Sequence, residues 1–145
     1  MSDVNPNKTS SVSEDLLISY GVKPTAMRIL VLQYFLGTRT AVTLRRLEDH
    51  FDGSDMSTLF RTLKKFVDHK ILHTIDDGSG VMKYAKCEQG CMCAPNDLHF
   101  HFHCLSCQET ICLTEQRIPT IELPNNFKMT QANMVVKGQC SSCSA

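Results

Sequence analysis

Several things are missing from this chain of 145 residues. It has no Trp and only 7% aromatic residues, although its 42% hydrophobic content is ordinary for a globular protein. No apolar run approaches the roughly 18 residues that a membrane span needs, so no membrane role is expected. The opening stretch MSDVNPNKTSSVSED is polar and acidic, unlike a secretory leader, and implies a cytoplasmic address. The His-Glu-x-x-His helix of a metalloprotease is absent. So is the His-x-Glu followed by Pro-Cys-x-x-Cys of a zinc deaminase, and an enzyme is not expected. Net charge is zero, which at first argues against a nucleic-acid partner.

The charge is unevenly spread. Residues 20–86 carry 11 Lys and Arg against 7 Asp and Glu, while the remainder carries 4 against 8. A basic first half joined to an acidic second half suggests two functions on one chain. All eight cysteines fall between Cys87 and Cys143. Without an export signal, such clustering reads as metal ligation more readily than as a disulfide framework.

The first half has helical punctuation. DLLISY, residues 15–20, predicts a short helix ending at Gly21, and Pro24 suits the first turn of the next. AMRILVLQYFL and TLRRLEDHF carry further helical patterns. In GSDMSTLFRTLKKFVDHKIL, Ser54 or Asp55 can cap a helix start. Leu59, Leu63, Phe66 and Val67 form its core-facing stripe, leaving Ser57, Arg61, Lys64 and Lys65 on the other face. ILHTI and VMKYAKC, joined by DDGSG, predict a β-hairpin. This order is that of a winged helix-turn-helix, with the basic helix in the major groove of double-stranded DNA and the hairpin as wing. One such module makes few contacts, so a homodimer reading a palindromic operator is expected.

The second half predicts metal chemistry. Cys104-x-x-Cys107 and Cys140-x-x-Cys143 together complete a four-thiolate, tetrahedral structural zinc site; the alternative is free or redox-active thiols. In LHFHFHC, strand alternation puts His99, His101 and His103 on one face, with Phe100 and Phe102 on the other. His73 near the start of the hairpin and Cys87 at its end can converge with His99 and His101 into a second site joining the halves. Imidazole with thiolate suits zinc, whereas histidines with carboxylates leave iron(II) or manganese(II) more open. The alternative for His73 is a surface histidine.

With these motifs in place the chain resembles the ferric uptake regulator family of metal-dependent repressors, over about residues 15 to 143. The likeness rests on His-x-His shortly before Cys-x-x-Cys, the second Cys-x-x-Cys, and the helix STLFRTLKKF. It implies that Thr58, Phe60 and Arg61, with Ser57 and Lys64 on the same helix, lie at the DNA, and that Lys23 lies near the minor groove. Phe60 stands where relatives carry Tyr, so hydrogen bonding through that hydroxyl is lost. The resemblance is strongest to the zinc-uptake branch, which implies a regulatory site of His73, Cys87, His99 and His101. Cys112 occupies a position where iron and peroxide sensors often carry a carboxylate, placing a thiolate where it can join or replace a ligand. The histidine that iron-type members place ahead of the third helix is absent near Thr40 and Ala41. A third family site falls on Leu98 and Phe100 and is expected to be missing. The insertion EQGCMCAPND holds Cys91 and Cys93 as spare ligands, a redox pair or neither. His103 has no counterpart and is expected at the surface or backing the ligands.

The implied architecture is α+β: a winged helix-turn-helix DNA-binding domain followed by a small α/β dimerisation domain with a structural zinc site. The expected boundaries are 1–13 for a flexible polar N-terminus and 14–87 for the winged domain, then 88–98 for a linker or insertion and 99–145 for the dimerisation domain. The implied function is metal-responsive repression of metal uptake, with zinc as the leading regulatory metal. Iron(II) or manganese(II) sensing, or DNA binding with structural zinc only, are the alternatives.

Overall fold

The computed structural model describes residues 6–86, 99–117, 119–130 and 132–145. Among them the chain forms α1 (Pro6–Ser19), α2 (Ala26–Leu36), β1 (Val42–Thr43), α3 (Leu44–His50), α4 (Met56–Asp68), β2 (Leu72–Ile75) and β3 (Lys83–Lys86). There follow β4 (His99–Cys104), β5 (Thr110–Arg117) and β6 (Val135–Gly138). No described helix is long and apolar enough to cross a membrane.

Local chemistry explains the helix boundaries. The helix expected at residues 15–20 starts earlier, at Pro6, whose missing N–H costs nothing in a first turn. It stops at Gly21, with φ +75°, where Gly21 N–H donates to Ile18 O and Val22 N–H to Leu17 O, both at 2.9 Å. That is the paired closure of a Schellman end, which needs the left-handed conformation glycine tolerates. Pro24 lies outside α2 rather than in its first turn: Thr25 is the cap and accepts from Arg28 N–H at 3.3 Å. Thr43 caps α3 and Asp55 caps α4 in the same way. Along α4, Leu59, Leu63 and Phe66 of the expected stripe are buried, Val67 is partly buried against them, and Thr62 is buried in addition. Leu59, Leu63 and Phe66 join Leu17, Leu32, Phe35, Leu47 and Leu72 in the main core. Each such side chain stabilises the fold by about 1.5–3 kcal/mol relative to exposure.

Two three-stranded sheets complete the fold, ordered β1-β3-β2 and β5-β4-β6. The β2–β3 hairpin has two working faces. Leu72 and Tyr84 enter the helical core. His73, Ile75, Lys83 and Ala85 share the other face, since His73 pairs with Ala85 and Ile75 with Lys83. This face meets the second sheet: Ile75, Ala85 and Ala41 form a small apolar cluster with Cys112 against it. Ala41 N–H donates to Thr110 O at 2.7 Å, and Arg46 pairs with Glu109.

The second half departs from the expected α/β character, because no helix occurs among its described residues. Pro119 and Pro124 fall in the stretch between β5 and β6, where each removes a helix-bonding N–H and restricts the residue before it. β4 is the central strand, antiparallel to β5 and parallel to β6.

Candidate metal centres and nucleic-acid face

The two Cys-x-x-Cys pairs meet in space. The sulfurs of Cys104, Cys107, Cys140 and Cys143 all lie within 4.8 Å of one another, and those of Cys107 and Cys140 are 3.9 Å apart. This spacing is far beyond a disulfide of about 2.05 Å. It matches the roughly 3.8 Å between thiolates around a tetrahedral ion with Zn–S near 2.3 Å. The turns prepare the site. Gln108 N–H donates to Cys104 O at 2.9 Å, and Cys143 N–H to Cys140 O at 3.0 Å, curling each pair around its sulfurs. Backbone N–H groups of Cys107 and Cys140 aimed at the Cys104 sulfur hold its pKa down at about 6. Its crowded neighbours, Cys140 foremost, push Cys143 up to about 12. Four thiols so close cannot all ionise without a cation among them, so the residues fit a structural metal.

A second set joins the two sheets. His73 on β2, His101 on β4 and Cys112 on β5 bring their donor atoms within 4.8 Å of one another. The His73 and His101 Nε2 atoms are 3.3 Å apart, and Cys112 Sγ is 3.5 Å from His73 Nε2. Tetrahedral ligation with Zn–N of about 2.0–2.1 Å and Zn–S of about 2.3 Å sets these separations near ~3.3 and ~3.6 Å. His101 and Cys112 are direct cross-strand partners, so strand pairing alone puts them side by side. His73 arrives from the hairpin. Cys87, Cys91, Cys93, Leu98 and the side chain of His99 lie outside the described residues. Of the expected regulatory set, the structure brings together His73, His101 and Cys112.

On the first half, α4 turns Ser57, Phe60, Arg61 and Lys64 outward, opposite its core stripe, with Thr58 half-buried. Phe60 is 48% exposed. Lys23 is also exposed, and its carbonyl accepts from Arg28 at 2.8 Å.

Of the two places expected for His103, the surface is excluded. The residue is buried, at 3% exposure, and belongs to neither metal set. Its partners Asp77 and Thr110, and Lys83 which joins both of them, were not legible as site residues. Asp77 reads as a turn residue and Lys83 as one more strand lysine, and their meeting with β4 and β5 depends on packing between the halves. Burial opposes ionisation of Asp77, yet hydrogen bonds from Lys83, Ser79 and Thr110 outweigh it and leave its carboxyl well below the usual range.

Comparison with known proteins gives a consistent outcome. The model of the ferric uptake regulator family matches residues 19–137. No curated protein matches the sequence significantly. Among solved structures, a zinc uptake regulator complexed with zinc and DNA is similar with a TM-score of 0.65 and 15% identity, covering 95% of this chain and 94% of that one. The Helicobacter pylori ferric uptake regulator, described as having three functional metal-binding sites, gives 0.57 and 13%, covering 100% and 98%. The Pseudomonas aeruginosa ferric uptake regulator with manganese gives 0.57 and 16%, covering 90% and 98%. At such identities these structures show a shared fold.

Proposed function

The chain belongs to the ferric uptake regulator family, and we propose that this metal-responsive regulator is a zinc-sensing, homodimeric repressor of metal-uptake genes. The observation that carries the reading is the donor set at the seam: two imidazoles and a thiolate, contributed by the hairpin and by the second sheet. A bound divalent cation supplies the positive charge that lets His73, His101 and Cys112 sit together in their metal-binding protonation states. His73 then holds the hairpin to the sheet, which fixes the angle at which α4 is presented to an operator. Cys87 and His99 are the further ligands proposed. A thiolate in place of a carboxylate favours zinc over iron(II) or manganese(II). Structures of the same fold are described with zinc and with manganese, so the support for zinc comes from the donor set of this chain and not from the fold.

Cys104, Cys107, Cys140 and Cys143 are proposed to hold structural zinc, and Lys23, Ser57, Thr58, Phe60, Arg61 and Lys64 to face DNA. Dimerisation is supported by the outer face of the second sheet. Phe102 on β4 pairs with Ile111 on β5 and Val136 on β6, so the three align across the strands. Ile111 and Val136 are 37% and 46% exposed, an apolar row suited to a second copy.

The test is operator binding at fixed salt with the four-cysteine site loaded, titrating zinc, iron(II) and manganese(II) in turn. Zinc should raise affinity roughly 5–150-fold, and the double variant His99→Ala/His101→Ala should stay in the weak state. A switch by iron(II) or manganese(II) alone overturns the zinc assignment. Binding indifferent to all three metals overturns sensing and leaves a DNA-binding protein with structural zinc only.

A further inference from the structure

Four residues away from His73 along the hairpin, the same face carries a polar cluster that uses no metal ligand. The Asp77 carboxylate Oδ2 lies 2.8 Å from Lys83 Nζ, 2.7 Å from Thr110 Oγ1 and 3.2 Å from His103 Nδ1. Lys83 Nζ also donates to Thr110 Oγ1 at 3.0 Å and to the carbonyl of Gln108 at 2.6 Å. His103 Nδ1 is 2.9 Å from Thr110 Oγ1. All four side chains are buried: Asp77, Lys83, His103 and Thr110 are between 0% and 6% exposed.

The proton count fixes the roles. Thr110 has one hydroxyl proton, and the ionised Asp77 can only accept, so Thr110 donates to Asp77 and accepts from Lys83 and from His103. His103 therefore carries its proton on Nδ1. Asp77 and Lys83 belong to the hairpin, while His103, Gln108 and Thr110 belong to the second sheet and its cysteine-bearing turn. Charges this deeply buried are tolerated only when paired and fully hydrogen-bonded, which holds the two partners in one relative position.

We propose that the Asp77–Lys83–Thr110–His103 cluster is a clamp that fixes one end of the hairpin to the second sheet, so that the metal at His73, His101 and Cys112 fastens the other end of a joint already half closed. This rests on the metal-sensing reading. Asp77 and Lys83 are positioning residues: they touch neither metal nor DNA, and act by keeping His73 within ligand distance of His101 and Cys112. Asp77 is about 13 Å of extended chain from His73. One attachment leaves a pivot, whereas two set an angle.

The test compares the full-length protein with Asp77→Asn/Lys83→Met, which removes both charges together. Thr110→Val keeps the ion pair and serves if the charge variant does not fold. Each is loaded with zinc at the four-cysteine site and titrated with cobalt(II), whose thiolate absorption reports ligation at the seam site by Cys112 and by the proposed ligand Cys87. Zinc content, thermal melting and operator affinity are measured on the same samples. With the clamp severed, the folded variant should bind cobalt(II) about 5–150-fold more weakly, and its metal-induced gain in operator affinity should need correspondingly more metal. A merely stabilising role would lower the melting temperature and leave cobalt(II) affinity unchanged; that result overturns the clamp. Wild-type protein giving no thiolate absorption or no metal-dependent operator binding overturns the sensing reading itself, and the clamp with it.

Discussion

Arg61 and Lys64 sit on one exposed face of α4, but their expected roles differ, and binding curves can separate them. A guanidinium that reaches base edges contributes sequence discrimination, whereas an ammonium facing phosphate contributes charge alone. Arg61→Ala should cost about 1–3 kcal/mol and relax preference at one operator position. Lys64→Ala should weaken binding to all sequences alike and reduce the salt dependence by about one unit of slope. Affinity measured across a salt series on operator and scrambled DNA decides it, and equal slopes for Lys64→Ala and wild type would remove Lys64 from the interface. The alternation of Leu59, Leu63 and Phe66 with these polar positions made this face readable from sequence, because a helix period is a local property. His103 was unreadable for the opposite reason. Its alternation with His101 gave the correct face, but the groups that cover that face lie at Asp77 and Lys83, and only tertiary contact joins them.

At the scale of elements, the four-cysteine turn region holds β6 onto β4. Leu105 N–H donates to Gly138 O at 2.8 Å and Cys140 N–H points at the Cys104 sulfur at 3.4 Å, so the strand ends and the sulfurs are built as one unit. Stripping the metal with a strong chelator should unravel the β4–β6 pairing and lower the β signal in circular dichroism. The helical signal of α2 and α4, whose core is separate, should persist. Loss of both signals in one transition would mean that the halves unfold together. Zinc sites in small peptides contribute about 10–16 kcal/mol of apparent binding energy, ample to decide whether a three-stranded sheet forms. The paired Cys-x-x-Cys spacing announced this unit, since two bites of one ion need little else. The early start of α1 was not announced: PNKTSSVSED carries no apolar stripe, and only Pro6 hints at a helix start.

For the whole molecule, the informative asymmetry is that β4 hides His101 and His103 while Phe102 is only half-buried. A sheet with its polar face inside and an apolar row outside calls for a cover on that row, and a second copy is the proposed one. Val136→Asp places a charge on the row at a position already 46% exposed, so the single chain should fold normally. Sedimentation should then show monomers and weakened operator binding, and an unchanged dimer would put the interface elsewhere. The same alternation governs which changes of length the chain can absorb. Adding or removing one residue within His99–Cys104 would exchange the two faces of β4, sending imidazoles to the outer row and phenylalanines against the hairpin. Substitutions there alter one function at a time, but a single-residue insertion or deletion would disturb metal sensing, the hairpin joint and the outer row together. Tolerance for insertions belongs instead to the exposed stretch ahead of β6, residues 119–130.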